Sequence, residues 1–306
     1  MTGLVEHGTG RVAKAVELGS YPVVVLATFA GFWTLTANGL HVTPAAYGAA
    51  VLAAGLVTAH EIKWPHRPQW RPHGREIRSD LAFMVLVQMT LPYLLSVGVT
   101  IGIADRLKAA GFTVDSLWPH GLPLIVQAIL MLLLADLARY WLHRAFHRFG
   151  FMWRYHAVHH SPHRLYWLNV ARFHPFEKAV QFSLDALPFV LVGVSAEVLA
   201  VYFVFYAVNG FFQHSNCAVR LGFLNYVISG PELHRWHHSE FPEESNANFG
   251  NNLIVWDWIF GTRFLPVGRE VGNLGLINRQ YPSGFWQQMR TPFAAGLDSE
   301  TGAGPR

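Results

Sequence analysis

Residues 123–148 read PLIVQAILMLLLADLARYWLHRAFHR, an apolar stretch that ends in two histidines, His143 and His147, among several arginines. A helix of this length extends about 39 Å at 1.5 Å per residue, whereas the hydrocarbon core of a bilayer is about 30 Å thick. The polar end, from Arg139 to Arg148, must therefore project beyond the membrane. The stretch predicts a membrane helix that carries histidines to the membrane surface.

The composition also indicates a membrane protein. Of the 306 residues, 52% are hydrophobic and 14% are charged, against about 25% charged in an ordinary soluble domain. The single cysteine, Cys217, argues against disulfide frameworks, thiolate zinc sites and iron–sulfur clusters, since each requires several sulfurs. Any metal must then be held by nitrogen and oxygen. The net charge of +4 does not indicate nucleic acid binding, because no basic run is interleaved with aromatic residues.

Further apolar stretches predict additional membrane spans. They are residues 22–40, 44–60 and 80–104. Residues 181–213 would form an overlong helix, but Pro188, Gly193 and Ser195 interrupt it, so we expect a hairpin that enters the membrane and returns. The predicted fold class is all-α, an integral membrane helical bundle with a cytoplasmic, histidine-rich helical cap.

The distribution of basic residues predicts the orientation of the chain in the membrane. Lys and Arg lie before the first span and in residues 61–79, whereas the turn at 41–43 has none. The 105–121 loop has only Arg106 and Lys108, and the region after the fourth span is rich in Arg. We therefore expect the N-terminus and the histidine-rich segments in the cytoplasm. The excess of 19 Arg over 4 Lys suggests a bacterial source and hence a bacterial inner membrane.

Eleven of the 17 histidines fall between His143 and His238, and eight of these form three motifs, HRAFH, HAVHH and HRWHH. The motif histidines are His143 and His147, then His156, His159 and His160, then His234, His237 and His238. Residues i, i+3 and i+4 share one face of a helix, so each motif can present two or three imidazoles to one point. Neutral imidazole suits Fe, Zn, Cu and Ni, and eight ligands are too many for one ion. The spacing predicts two metal ions.

Polar side chains near the motifs are candidates to hydrogen-bond the second ring nitrogen of a metal-bound histidine. They are Asp136, Tyr140, Asn216, Glu232, Asn248 and Asp257. Asp136 and Tyr140 lie on one helical stripe with the first motif. Glu232 suits the first turn of a helix that begins at Pro231. Asp257 is equally compatible with a structural cap.

The ordered motifs, together with DLARYWLHRAFH, QHSN and NFGNNLIVWDWIFGT, resemble the fatty acid hydroxylase/sterol desaturase superfamily of integral membrane di-iron oxygenases. The resemblance covers roughly residues 120–265. It implies two iron ions at the cytoplasmic membrane face, O₂ as co-substrate and oxidation of a lipid C–H bond. It also implies that the eight motif histidines are ligands and adds His214 of QHSN as a ninth. His163 and His174 are left open as ligands, and we expect a polar neighbour and a helix-start residue respectively.

With this resemblance, the chain divides into three parts of one structural unit. Residues 1–120 contain N-terminal transmembrane helices and a basic cytoplasmic loop, 121–290 form the hydroxylase-like catalytic region, and 291–306 form a mobile tail. The lipid enters from the bilayer, and the aromatic segment 202–212 could line its path. Three readings stay open. A lipid hydroxylase comes first, a desaturase with the same site second, and a membrane zinc protein third, because a catalytic zinc usually takes only three protein ligands.

Electrons must come from a separate donor protein, of the ferredoxin, rubredoxin or cytochrome b5 kind. The chain shows no GxGxxG fingerprint after a strand and has no room for a fused haem domain. The basic residues Arg144, Arg148, Arg154 and Arg164 could dock an acidic carrier, although binding to the membrane surface explains the same charges.

Overall fold

The computed structural model describes residues 11–99, 106, 110–111, 117–294 and 296–297. In this part of the chain the fold is all-α, and the only β-pairings are isolated bridges, as between Pro65 and Cys217. Among the described residues, five helical stretches are long and apolar enough to cross a membrane. The helices are α1 (Arg11–Ala37), α2 (Val42–Lys63), α3 (Gly74–Ala82), α4 (Leu91–Val99), α5 (Leu124–Arg148), α6 (Gly150–His160), α7 (Pro175–Asp185), α8 (Leu187–Leu191), α9 (Ala196–His214), α10 (Pro231–His237), α11 (Pro242–Ser245), α12 (Val255–Ile259) and α13 (Phe285–Gln288).

Helices α1 and α2 form the predicted pair of antiparallel spans. α1 begins at Arg11, well before the apolar stretch that starts at residue 22, because the apolar window marks the membrane-embedded part of a helix and not its ends. Gly39, with φ 86°, lies in the turn between the helices, a conformation that glycine adopts without steric cost. Along α2, small side chains such as Ala45 and Ala49 are buried, which lets neighbouring helices approach closely.

The third span begins at Gly74 and not at Asp80, because His73 and Glu76 form a capping box that starts α3 earlier. The His73 backbone N–H donates to Glu76 Oε2 at 2.7 Å. Between α3 and α4 the chain forms a π-helical segment, Phe83–Thr90. π-Helical turns are rare and frequent at functional sites. The predicted end of this span near residue 104 lies outside the described residues.

The break predicted within residues 181–213 is confirmed. α7 ends at Asp185, the short α8 follows, and α9 begins at Ala196. Gly193 has φ 74°, and the Ser195 hydroxyl accepts from the Val198 N–H to cap α9. α9 ends at His214 beside the histidines of α6, so the chain returns to the face where α5 ends.

The core of the bundle is built around α9, and the C-terminal chain closes the histidine-rich end. Val198, Val201 and Val204 of α9 pack with Met131 and Ala135 of α5. The tail predicted to begin at residue 291 starts with a 3₁₀ turn, Thr291–Phe293, in which the Thr291 hydroxyl accepts from the Tyr281 hydroxyl at 2.7 Å; the mobility of the tail stays a prediction. Residues 298–306 lie outside the described residues.

Candidate metal centre

The structure brings all nine predicted histidines together in two adjoining groups. The first contains His143, His147, His156, His160 and His237, and the second contains His159, His214, His234 and His238. Within each group, the candidate ligand atoms lie within 4.8 Å of one another. The groups touch where the ring centroids of His160 and His238 are 4.4 Å apart.

Helical periodicity divides the second and third motifs between the groups. On α6, His156 and His160 join the first group while His159 joins the second. At about 100° per residue, i+4 lies about 40° from i in one direction and i+3 about 60° from i in the other, so adjacent groups on one face can divide them. The third motif divides in the opposite sense, with the i and i+4 pair, His234 and His238, in the second group.

In three histidines of the first group, the ring nitrogen that points away from the group, here called the outer nitrogen, is Nδ1. These three Nδ1 atoms contact one loop, residues 246–249. The pairs are His143 Nδ1 with Phe249 O at 2.8 Å, His237 Nδ1 with Ala247 O at 2.8 Å and His147 Nδ1 with Asn246 Oδ1 at 3.1 Å. A carbonyl oxygen can only accept, so each of these rings carries its proton on Nδ1. One loop thus orients three imidazoles from two different helices.

The Nδ1 atoms of His156 and His214 are held by α7 and by the segment between α6 and α7, whereas those of His234 and His238 have no hydrogen-bond partner among the described residues. His156 Nδ1 donates to Glu177 Oε1 at 2.7 Å, and the side chain of Glu177 is fully buried. Burial raises the pKa of Glu177 to about 8, and Arg139 opposes the shift. His214 Nδ1 contacts Asn169 Oδ1 at 2.8 Å. These contacts are the second-nitrogen bonds that metal-bound histidines normally make.

The ring nitrogens that point into each group, here called the inner nitrogens, are close enough together to bind a cation. Three Nε2 pairs in the first group and one in the second are 3.0–3.2 Å apart: His143 with His156, His156 with His160, His160 with His237, and His234 with His238. Neutral rings whose protons are on Nδ1, such as those of His143 and His156, face each other with lone pairs. Such contacts are repulsive unless a positive ion lies between them. The buried Nε2 atoms of His147 and His214 have no hydrogen-bond partner among the described residues.

The environment also keeps the imidazoles uncharged, which is the form that binds metal. Burial, reinforced by neighbouring imidazoles, lowers the pKa of His156, His159, His160 and His238 well below the ordinary value. Burial lowers the pKa of His237 to about 4. The arrangement can therefore hold metal ions with nitrogen ligands at neutral pH.

Residues 128–262, which contain all nine histidines, match the family model described as fatty acid hydroxylase. The match covers less than half of the chain, and over this region the chain is similar to the fatty acid hydroxylase superfamily. Its resemblance to this superfamily, inferred from the motifs, is thereby confirmed.

Individual relatives show how far the similarity extends. Ornithine lipid hydroxylase OlsE of Rhizobium tropici is 28% identical over 95% of this chain and 88% of its own length. Alkylglycerol monooxygenase of Xenopus tropicalis is 32% identical over 44% of this chain and 30% of its own length. Very-long-chain aldehyde decarbonylase GL1-6 of Oryza sativa subsp. indica is 29% identical over 45% of this chain and 23% of its own length. No solved structure gave a significant match.

Several polar residues predicted to support ligands instead support the backbone. Asp136 accepts from the Asn252 and Leu253 N–H groups and from the Asn252 side chain. These bonds explain how a carboxylate is tolerated within an apolar helix, since a buried acid needs donors. Glu232 Oε2 accepts from the Leu221 N–H and the Asn225 side chain, both at 2.6 Å, because its position in the first turn of α10 faces the preceding turn. Neither contacts a histidine, which corrects the prediction.

Tyr140 and Asn216, which were also predicted to hydrogen-bond metal-binding histidines, instead bond other residues. The Tyr140 hydroxyl lies 2.9 Å from Thr262 Oγ1. The Asn216 side chain accepts from the Arg67 N–H and donates to its carbonyl, which ties the chain after α9 to the chain after α2. Both have a structural role that short-range spacing does not reveal.

Asp257 and Asn248 affect the histidines only indirectly, through the 246–249 loop. Asp257 accepts from the Phe249 and Gly250 N–H groups at 2.8 and 2.7 Å and from the Thr262 hydroxyl at 2.7 Å, so it is both a structural cap and an anchor of the loop. Asn248 lies between the two carbonyls that accept from His143 and His237, with φ 56°.

His163 and His174 lie outside both groups. His163 Nδ1 bonds the Leu274 carbonyl at 3.1 Å. His174 is the N-cap of α7 and its side chain accepts from the Phe176 N–H, which confirms it as a helix-start residue.

Sequence reasoning missed the side chains that do bond the outer nitrogens: Asn169, Glu177 and Asn246. Glu177 had one signal, because it follows the His-Pro pair in RFHPFE and is an acid in the first turn of α7. The two asparagines had none, since they lie 45 and 99 residues from the histidines they contact.

An apolar cavity of about 220 Å³ opens onto both groups. Five of the nine histidines line it: His143, His156, His159, His214 and His234. The π-helical segment contributes Met84, Gln88 and Met89, and the aromatic segment 202–212 contributes Phe203, Tyr206 and Phe211. The structure thus places the predicted aromatic segment on the wall of a cavity beside the histidines.

Proposed function

We propose that this protein is a membrane-bound di-iron oxygenase that hydroxylates a C–H bond of a lipid with O₂ and electrons from a donor protein. The observation that carries the proposal is the pair of buried, uncharged imidazole groups that open onto one apolar cavity. Two relatives, an ornithine lipid hydroxylase and an alkylglycerol monooxygenase, support lipid hydroxylation.

The nine histidines would hold the two iron ions, five around one and four around the other. Imidazole suits iron, and this number of nitrogen ligands exceeds what a catalytic zinc site uses. When bound, the iron pair supplies the reduction of O₂ that oxidises the C–H bond. The overall reaction consumes the lipid, O₂, two electrons and two protons and yields the lipid alcohol and water.

The protein itself orients the ligands, excludes water and positions the lipid. Glu177 and the 246–249 loop fix the imidazole planes through the outer nitrogens. Apolar side chains such as Phe173 and Phe203 line the cavity, and a wall of this kind holds a hydrocarbon chain and keeps water from the reacting atoms.

The electron donor would approach from the cytoplasmic face, where α5 and α6 meet. Arg148 and Arg154 are exposed there and would face an acidic carrier. Arg164 instead pairs with Glu76, and Arg144 lies over the Trp141 ring, so these two residues have structural contacts of their own.

Lipid profiling of cells that express the wild type or His237→Ala tests the proposal. We expect a lipid that gains one oxygen with the wild type and is unmodified with the variant. His163→Ala is the matched control, because His163 lies outside both groups, and it should retain the product. Persistence of the product in His237→Ala would contradict the proposal.

The mass of the product and the metal content separate the alternatives. A loss of two hydrogens would indicate a desaturase that uses the same site. Product formation without O₂, by protein that contains zinc and no iron after anaerobic preparation, would indicate a zinc protein.

A further inference from the structure

A patch of exposed apolar side chains lies beside the end of α5 that carries the histidines. It is formed by the 3₁₀ turn Gly222–Tyr226 and the residue after it, by α12 and by one residue of α5. Its members, here called the aromatic patch, are 47–79% exposed: Trp141, Phe223, Tyr226, Val227, Trp258 and Ile259. Exposed apolar side chains gathered in this way mark an interaction surface.

Ring contacts join the separate segments into one surface. The rings of Tyr226 and Trp258 are stacked, with centroids 5.7 Å apart and an angle of 14° between their planes. Phe260, directly after α12, packs on Trp141 of α5 with centroids 4.8 Å apart. The aromatic patch is therefore held in a fixed position against α5.

Two arginines lie over the rings of the aromatic patch. Arg263 Cζ is 5.2 Å from the centroid of the Tyr226 ring and 4.7 Å from that of the Trp258 ring. Arg144 Cζ is 5.4 Å from the centroid of the Trp141 ring. Trp and Tyr are enriched at the membrane–water interface, where their rings lie at the level of the head groups. A guanidinium beside them can bind a lipid phosphate, because its donors match the phosphate oxygens.

The position of Trp141 along α5 places the aromatic patch at the height of this interface. Trp141 lies 17 residues after Leu124, the first residue of α5, which corresponds to about 26 Å along the helix. The hydrocarbon core is about 30 Å thick, so Trp141 is near its boundary, whereas Arg148, at about 36 Å, lies beyond it. The exposed residues between Leu124 and Trp141, such as Ile129 and Leu134, are apolar. The aromatic patch continues this lipid-facing surface of α5.

We propose that the aromatic patch inserts into the lipid–water interface of the bilayer, with Arg263 and Arg144 at the level of the lipid phosphates. The bilayer is the partner that fits, because the patch begins on the lipid-facing side of a membrane helix and pairs apolar rings with cations. The proposal concerns contact with the membrane and does not depend on the reaction that the protein catalyses.

Insertion of the aromatic patch also holds the loop that orients the histidines. Asp257, which precedes Trp258, is fully buried and accepts from two N–H groups of the loop. These donors are Phe249 at 2.8 Å and Gly250 at 2.7 Å. The Phe249 carbonyl in turn accepts from His143 Nδ1 at 2.8 Å. Contact of α12 with the bilayer therefore restrains a group that positions a candidate metal ligand.

Spin labels on introduced cysteines measure the depth of the aromatic patch in phosphatidylcholine vesicles that contain the full chain. Phe223→Cys and Ile259→Cys carry labels on its two segments, and the native Cys217 is buried. We expect O₂, which concentrates in lipid, to relax both labels more strongly than a water-soluble nickel chelate does. Leu134→Cys and Arg148→Cys calibrate the scale, because they lie within the hydrocarbon and beyond it on one helix. The patch labels should lie between these two.

Hydrogen exchange of the metal-free protein in the same vesicles tests the link to the loop. In Ile259→Asp, the Phe249 and Gly250 amides should exchange at least about tenfold faster than in the wild type, which corresponds to about 1.4 kcal/mol. The reason is that a charge opposes insertion and loosens α12. Phe223→Asp, on the other segment, should act in the same direction. Val267→Asp, at a fully exposed residue outside the patch, should match the wild type, and unchanged exchange in α5 and α9 reports intact folding.

Two outcomes would overturn the proposal. Stronger relaxation by the nickel chelate than by O₂ at both patch labels, as expected for Arg148→Cys, would show that water covers the patch. Unchanged exchange of the Phe249 and Gly250 amides in both Asp variants of the patch would refute its link to the loop. In either case the proposed function stands, because it is tested by the lipid product.

Discussion

Asn248 should control the affinity of the first histidine group for metal although it touches no histidine. It lies between Ala247 and Phe249, whose carbonyls accept from His237 and His143. Its backbone is left-handed, with φ 56°, and this conformation lets the carbonyls on either side of it face two different histidines. Its side chain donates to the Leu233 and Phe264 carbonyls and accepts from the Phe264 N–H.

Two substitutions separate the backbone effect from the side-chain effect. Asn248→Gly loses three side-chain hydrogen bonds, at about 0.5–1.5 kcal/mol each, but keeps the left-handed conformation freely. Asn248→Ala loses the same bonds and also pays roughly 1–2 kcal/mol for a left-handed alanine. Such a difference corresponds to about five- to thirtyfold in an equilibrium constant. We therefore expect metal affinity to fall in the order wild type, Gly, Ala.

The assay is competition for iron with a soluble chelator, together with thermal unfolding of the metal-free and metal-loaded forms. Asn273→Ala, which removes only a surface contact with Glu240, is the control. Equal affinities of the Gly and Ala variants would refute the role of the backbone conformation. Wild-type affinity in the Ala variant would refute the role of the loop altogether.

Four further predictions address the ligands, the cavity and the bundle. Above about pH 8, where the Glu177 carboxyl is ionised, Glu177→Gln should weaken metal binding about 10–100-fold, measured by the same chelator competition, because the partner of His156 loses its charge; unchanged affinity would contradict this. Gly210→Leu should lower lipid turnover at least about tenfold at normal iron content, because a β-carbon there meets only Val170 Cγ2 at 3.6 Å and the longer side chain enters the cavity. Asp136→Asn should destabilise the protein by about 2–4 kcal/mol in detergent, since its amide would face N–H donors, and an unchanged unfolding temperature would contradict this. Because burial lowers the pKa of His237 from 6.5 to about 4, the unfolded chain takes up a proton first as the pH falls. The metal-free protein should accordingly lose stability between pH 6.5 and 4, and an unfolding temperature independent of pH in this range would contradict the shift.

Eight of the nine histidines could be found from the sequence because their signal is local, whereas His214 was added by the family resemblance. The spacing within HAVHH and HRWHH depends only on helical periodicity, and the apolar stretches depend only on composition over about 20 residues. The break near Gly193 was also predictable, because glycine and proline act on their own stretch of backbone. Such features do not require knowledge of which helices are neighbours.

Tertiary structure decided how the histidines divide and which groups orient them. His159 and His160 are adjacent in the chain but belong to different groups, because the outcome depends on how α6 faces α9 and α10. Asn246 reaches His147 across 99 residues, and Asp136 is bonded by a loop 116 residues away rather than by a histidine. Hydrogen-bond partners at such separations are set by packing of the whole bundle. Local spacing therefore predicted the eight motif histidines that the structure brings together, whereas the contacts that position each ring emerged only from the fold.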